Sequence, residues 1–178
     1  METEVRSALN LQFDIACQLL DIHFSELEID ECMWRPAKKG LHVVKKSGVW
    51  QADWPECENY DIGPASIAWI SWHIIYWWSM VLDHSFGEGK LTRANVFWPG
   101  SVEETTSKVY QLRDEWRERV DKLSNEDLKS NEFTQWPFKD RPFYELVAWL
   151  NVELTKNVSE IGYCRFLYAS NFPNKNQT

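Results

Sequence analysis

Glycine and proline are scarce in this sequence, with seven of each among 178 residues. Linker-rich and fibrous chains need far more of both, so those classes are excluded. The cysteines are also few, and Cys17, Cys32, Cys57 and Cys164 form neither a Cys-x-x-Cys pair nor a zinc-knuckle spacing. A domain of this size can bury a substantial core, so we expect reduced thiols rather than disulfide bridges.

Clusters of basic residues are missing as well. The net charge is −8, and Lys and Arg are interspersed with acids, as in the run 113–119. Binding to duplex phosphates or to an anionic lipid surface needs concentrated positive charge, so we expect neither nucleic acid nor membrane as a partner. Residues 1–6 are polar and acidic and do not begin an apolar signal segment. We therefore expect a soluble, cytoplasmic protein.

One long stretch, residues 62–82, contains no Asp, Glu, Lys or Arg. It is long enough to cross a bilayer. However, it contains Gly63, Pro64 and His73, and aspartates rather than Lys or Arg flank it. A central helix packed on several sides gives the same pattern, and we favour that interpretation.

Apolar residues recur at three- and four-residue spacing over four long segments, which predicts four amphipathic helices. Three of these helices are expected over residues 4–23, 66–85 and 142–169; the other opens at Ser101 and carries an apolar stripe from Val102 to Val120. Ser-x-x-Glu capping patterns begin at Ser25 and Ser101, the first of them predicting a short extra turn of helix. Pro142 suits the first turn of the last helix. The fold class is therefore all-α, a four-helix bundle with unequal connections.

The longest connection, residues 37–64, is rich in turn signals. Within it, residues 41–44 and 49–50 flank the sequence Lys-Lys-Ser-Gly, which indicates a small β-hairpin between the first and second long helices. A loop of this length either covers a site or is a plain connection, and both interpretations stay open. We expect the bundle to span residues 1–170 and residues 171–178 to form a flexible polar tail.

Polar residues occupy positions where the helical pattern predicts core. His73 shares a stripe with Trp69 and Trp77, whereas Glu153 and Asn157 lie one turn apart on the inward stripe of the last helix. Buried glutamate is uncommon unless it is paired or bound to metal. Two ligands at i and i+4 facing a histidine from another helix are typical of metal sites in bundles. The candidate metal ligands are therefore His73, Glu153 and Asn157.

The order of these motifs resembles that of the DinB/YfiT-like superfamily. Trp34-Arg35-Pro36 and the run 66–74, which ends in His73-Ile74, are similar to its first two motifs, and the run 153–161 is similar to its fourth-helix His-x-x-x-His-x-x-x-Ile element. The resemblance implies a four-helix bundle, often a homodimer, with a divalent metal such as zinc or nickel. It also implies either transfer or isomerisation with a thiol cofactor, or metal-dependent hydrolysis.

This sequence departs from that pattern at Asn157, which stands where a second histidine is expected, while Glu153 stands at the first ligand position. An amide oxygen is a poor ligand for zinc or nickel, which prefer nitrogen or sulfur. His23 could complete the set, although we favour a role at its helix end. We expect His42 to face solvent. His84 follows His73 by about three turns, or about 16 Å, which is too far to share a metal.

Two functional hypotheses remain. The favoured one is a bundle of unassigned activity whose metal site is weak or lost, so that an aromatic-lined pocket binds a small apolar molecule or is simply core. In it, His73 forms a metal-free buried pair with Glu153. The alternative is a metal-dependent transferase, isomerase or hydrolase with the metal on His73 and Glu153. We interpret the tryptophans of the second long helix as core packing.

Overall fold

The computed structural model describes residues 2–57 and 59–173, with side chains from Glu4 onward. Within these residues the chain forms six α-helices and one β-hairpin. The helices are α1 (Glu2–Phe24), α2 (Ile29–Met33), α3 (Ile67–Phe86), α4 (Val102–Lys122), α5 (Asn125–Lys129) and α6 (Phe143–Asn171). The predicted tail begins within the last turn of α6, and its residues 174–178 lie outside the described residues.

Helix α1 lies between α6 and α4 and runs parallel to α6. The amide of Asn151 donates to the Leu9 carbonyl at 2.9 Å, and the Arg165 guanidinium donates to the His23 carbonyl at 3.1 Å. Helix α4 runs antiparallel to α1. Asp21 of α1 pairs with Arg113, and Asp14, which comes earlier in α1, pairs with Arg117, which comes later in α4. Helices α1 and α6 therefore run in the same direction, and α4 runs in the opposite direction.

Helix α3 is the most enclosed of the four long helices. Every residue from Ile67 to Tyr76 is buried, because α3 packs against both α4 and α6. It is antiparallel to α6, since the Cys164 thiol meets the Ala65 carbonyl at 3.5 Å while Phe86 packs on Phe143. The charge-free run is thus a central helix, as predicted. Among the described helices, none has the length and apolar content needed to span a membrane.

Serine side chains cap the N-termini of three of the helices. The Ser66 hydroxyl accepts from the Trp69 amide at 3.3 Å, and the Ser101 hydroxyl accepts from the Glu104 amide at 3.1 Å. Ser124 opens α5 with a reciprocal capping box. The capping box predicted at Ser25 is wrong, because α2 begins only at Ile29 and its first turn has no side-chain cap.

The predicted hairpin is present, with β1 (Val43–Lys46) antiparallel to β2 (Val49–Ala52). Ser47 and Gly48 turn the chain with φ of 50° and 87°, as a two-residue turn with left-handed residues requires. The Trp98 amide donates to the Trp50 carbonyl at 3.1 Å, which extends the hairpin by one bridge. The hairpin is therefore attached to the segment that precedes α4.

His42, which we expected to face solvent, is buried instead, with only 6% of its surface exposed. Its Nδ1 lies 2.6 Å from the Ser66 hydroxyl, and its backbone amide donates to the Asp53 carboxylate at 3.0 Å. The prediction failed because the long loop folds back over the start of α3. His42 therefore joins that loop to the cap of the central helix.

We predict that Ser66→Ala destabilises the protein by about 2 kcal/mol, because it removes a helix cap and also deprives buried His42 of its partner. The matched control is Ser101→Ala, which removes an exposed cap of the same type and should cost about 1 kcal/mol. Urea unfolding followed by circular dichroism measures both. Equal losses would contradict the role given to His42.

Candidate functional site

A cleft of about 1110 Å³ lies between α3, α6 and the loop that follows β2. Residues 54–57 and 62–65 of this loop line one side, so the long connection borders the cleft. The other sides come from the first half of α3 and the middle of α6. A groove of about 820 Å³ between α3 and α4 is lined by no buried polar side chain among the described residues.

The centre of the cleft is a hydrogen bond between α3 and α6. His73 Nδ1 lies 3.1 Å from Asn157 Oδ1, and the two residues are 7% and 1% exposed. With the amide oxygen facing the ring, Nδ1 carries the hydrogen and donates it. Within the part of the chain that the structure describes, Nε2 has no hydrogen-bond partner, and His73 lines the cleft.

Burial determines the charge of His73. It lowers the pKa of the imidazole from 6.5 to about 4; the bond to Asn157 opposes this shift, and the charge of Lys156 adds to it. The ring is therefore neutral near pH 7. A neutral imidazole with Nδ1–H leaves Nε2 with a lone pair that can accept a hydrogen bond.

Aromatic rings hold His73 from three sides. Trp69 stacks on it with centroids 4.8 Å apart, Trp77 meets it edge-on at 5.1 Å, and Trp54 lies at 6.5 Å. Trp72 and Trp78 are buried core residues, as predicted. Trp69 and Trp77 differ from that prediction, because both also line the cleft. Different faces of α3 thus contribute tryptophans to the cleft wall and to the core.

Glu153 lines the cleft but does not pair with His73 as we expected for a metal-free site. Its carboxylate binds the Lys156 ammonium at 2.6 Å, and 16% of its side chain remains exposed. The partner of His73 is Asn157, one helical turn further on. Glu160 is exposed as a residue, yet partial desolvation at the cleft raises the pKa of its carboxyl; Lys156 opposes the shift and Glu153 adds to it.

The remaining histidines do not contribute to this cleft. His23 lies at the end of α1 beside Gly162, and burial together with the charge of Arg165 lowers its pKa. The ring of His84 bonds the Leu91 carbonyl at 3.1 Å and stacks on Trp136. Neither residue lines the cleft. Across residues 2–57 and 59–173, no group of three or more His, Cys, Asp or Glu is placed to hold a metal ion.

The cysteines are all unpaired, as predicted. Of these, Cys57 and Cys164 line the cleft. Burial raises the pKa of Cys164 to about 11, and the charge of Glu160 adds to the shift. The Cys164 thiol is therefore protonated near neutral pH, whereas nucleophilic attack needs a thiolate.

Two cleft residues, Trp54 and Lys156, were not predicted from the sequence. Trp54 lies in a loop without periodicity, so no pattern indicated that its ring reaches His73. Lys156 follows Glu153 by three residues, and this spacing on a helix was a signal for the ion pair. Together they complete a cleft with aromatic walls, a neutral imidazole–amide pair at its base and charged groups nearer its rim.

These features define a class: an all-α bundle of four long helices with a histidine-centred cleft between α3 and α6. The sequence model of the DinB superfamily matches residues 12–161, and the chain belongs to that superfamily. No curated protein and no solved structure matches the chain significantly.

We predict energetic coupling between Gly162 and His23. A Cβ at Gly162 would lie 2.6 Å from the His23 ring, whereas Gly→Ala inside a helix is otherwise favourable by about 1 kcal/mol. Gly162→Ala should therefore stabilise the His23→Ala variant by more than it stabilises the parent protein. A double-mutant cycle by urea unfolding tests this, and purely additive effects would contradict the contact.

We predict that His73 makes the protein less stable as the pH is lowered. As the pH drops through 6.5 the unfolded chain takes up the proton first, because the folded pKa is about 4. Stability is therefore lost between these two values, and from about pH 7 to about pH 5 the loss from this group is about 2 kcal/mol. The His73→Gln variant, measured by urea unfolding at both pH values, should lack this component. Parallel pH curves for the two proteins would contradict the prediction.

Proposed function

We propose that this chain binds a small organic molecule directly in the α3–α6 cleft, without a bound metal. It is thus a DinB-superfamily bundle whose inherited metal site is weak or lost. The observation that carries the proposal is the hydrogen bond between His73 and Asn157. It joins two residues that stand at ligand positions by family resemblance, and both of them are uncharged.

As a donor set for zinc or nickel, His73, Glu153 and Asn157 fit poorly. The Asn157 oxygen already accepts from His73, and an amide oxygen is a weak ligand for these ions. The Glu153 carboxylate is bound to Lys156 at 2.6 Å. Only Nε2 of His73 remains as an uncommitted nitrogen, whereas an open catalytic site needs three protein ligands.

As a site for an organic ligand, the same cleft is well built. Binding sites for small molecules are concave, mostly apolar, and carry a few polar groups that orient the ligand. Here Trp54, Trp69 and Trp77 supply the apolar surface, and Nε2 of His73 supplies a fixed acceptor at the base. Because Asn157 holds the ring by its other nitrogen, this acceptor has a defined direction.

A second candidate function is metal-dependent catalysis, with a divalent ion held by His73 and Glu153. One observation favours it, namely that both residues line the same cleft. It requires the Lys156 ammonium to release the carboxylate, which makes metal content the measurement that separates the two candidates.

We predict that zinc or nickel stabilises the Asn157→His variant but not the parent protein. The second imidazole supplies the nitrogen that the amide lacks, and metal at 100 times its Kd stabilises a folded protein by about 2.7 kcal/mol. The measurements are elemental analysis of protein made without a His tag and thermal unfolding with added metal or chelator. Asn157→His combined with His73→Ala is the control and should lose the effect.

The results separate the two candidates. Stoichiometric zinc, nickel or manganese in the parent protein, lost in His73→Ala, would overturn the metal-free proposal. Absence of any gain in Asn157→His would contradict the explanation that the amide is what weakens the site.

A further inference from the structure

We infer that the ligand of this cleft is a small protonated amine with an aromatic or branched aliphatic body, an inference that rests on the function proposed above. Three independent features of the cleft favour a cation with N–H donors: the balance of charged groups that line it, the aromatic faces, and the uncommitted nitrogen of His73.

The charge balance of the lining is negative. The carboxylates are Glu56, Glu153 and Glu160, and the only cationic side chain among the described lining residues is Lys156. Lys156 is held by Glu153 at 2.6 Å, so these two charges largely cancel. Among the described residues, neither Glu56 nor Glu160 has a salt-bridge partner. An anionic ligand would be repelled here, whereas a cation is attracted.

The aromatic walls favour the same charge. The face of an indole ring is negative, and a cation within about 6 Å of its centroid is attracted to it. Trp69 and Trp77 are placed on different sides of His73, and Trp54 borders the cleft from the loop. At Trp54 one face is already occupied, because the Arg93 guanidinium lies 4.4 Å from the centroid of its ring, so Trp69 and Trp77 are the rings that carry this argument. These rings also provide surface for an apolar body.

The base of the cleft selects for a hydrogen-bond donor. His73 is 7% exposed and its Nδ1 is committed to Asn157, so Nε2 is an acceptor with no partner among the described residues. A ligand without a donor would bury Nε2 unpaired, which costs binding free energy. Primary and secondary ammonium groups carry N–H donors, whereas quaternary ammonium groups and ethers do not. The ligand class is therefore a protonated amine rather than a quaternary ammonium cation.

The test uses benzylamine as the probe, protonated at neutral pH, with benzyl alcohol as its neutral analogue and benzyltrimethylammonium as the cation without N–H. Binding to the full chain is measured by calorimetry and tryptophan fluorescence, with EDTA present so that metal cannot contribute. We expect benzylamine to bind about ten times more tightly than benzyl alcohol.

Two variants locate the interactions. Glu160→Gln, at an exposed position where folding is not at risk, should weaken benzylamine about fivefold and leave benzyl alcohol unchanged. Glu145→Gln, elsewhere on α6, removes the same formal charge outside the cleft, from an ion pair with Arg141, and is the control for net charge. His73→Phe should weaken benzylamine and leave benzyltrimethylammonium unchanged, because only the first donates to Nε2.

The outcomes are distinguishable. Equal affinity for benzylamine and benzyl alcohol in EDTA would overturn the amine inference and leave metal-free binding intact. Binding of either probe only after zinc or nickel is added would overturn the proposed function as well. Absence of binding to every probe, with and without metal, would overturn the inference. Equal weakening by Glu160→Gln and Glu145→Gln would also overturn it, by assigning the effect to net charge.

Discussion

Burial of α3 is the constraint on which the rest of the structure depends. Its first half is enclosed by α4 and α6, so a polar side chain there is largely shielded from water. An imidazole in such a place must find a partner inside the protein or lose its hydrogen bonds at considerable cost. The protein meets this requirement with Asn157, a neutral group, and the absence of a charge on either partner avoids the desolvation penalty of a buried ion.

That choice of partner is the basis of the function proposed for the cleft. A neutral imidazole and a neutral amide form an oriented acceptor, whereas a metal centre would need anionic or nitrogen ligands converging on one point. The charges of the cleft lie nearer its rim, where Glu153 and Lys156 neutralise each other and Glu160 does not join them in a salt bridge. Cys164 stays protonated for the reason that keeps His73 uncharged, because burial disfavours the ionised form of both.

Local features of the structure were accessible from the sequence because their causes are local. The cap at Ser101, predicted from its Ser-x-x-Glu pattern, follows from a hydroxyl next to the first turn of a helix. The hairpin follows from Ser47 and Gly48 between two short apolar segments. His42 shows the limit of this reasoning, because its burial depends on where a loop of many residues returns to the bundle, and no periodic pattern encodes that path.

By itself, the sequence determined the all-α class, the superfamily and the helix faces that carry His73, Glu153 and Asn157. Helical periodicity is a property of neighbours three and four residues apart, so it is visible in one dimension. Only the tertiary structure decided which residue of α6 meets the imidazole. A small rotation or shift of α6 against α3 exchanges one turn for the next, and packing along the whole interface sets that register. This register placed the Asn157 amide, rather than the Glu153 carboxylate, against His73.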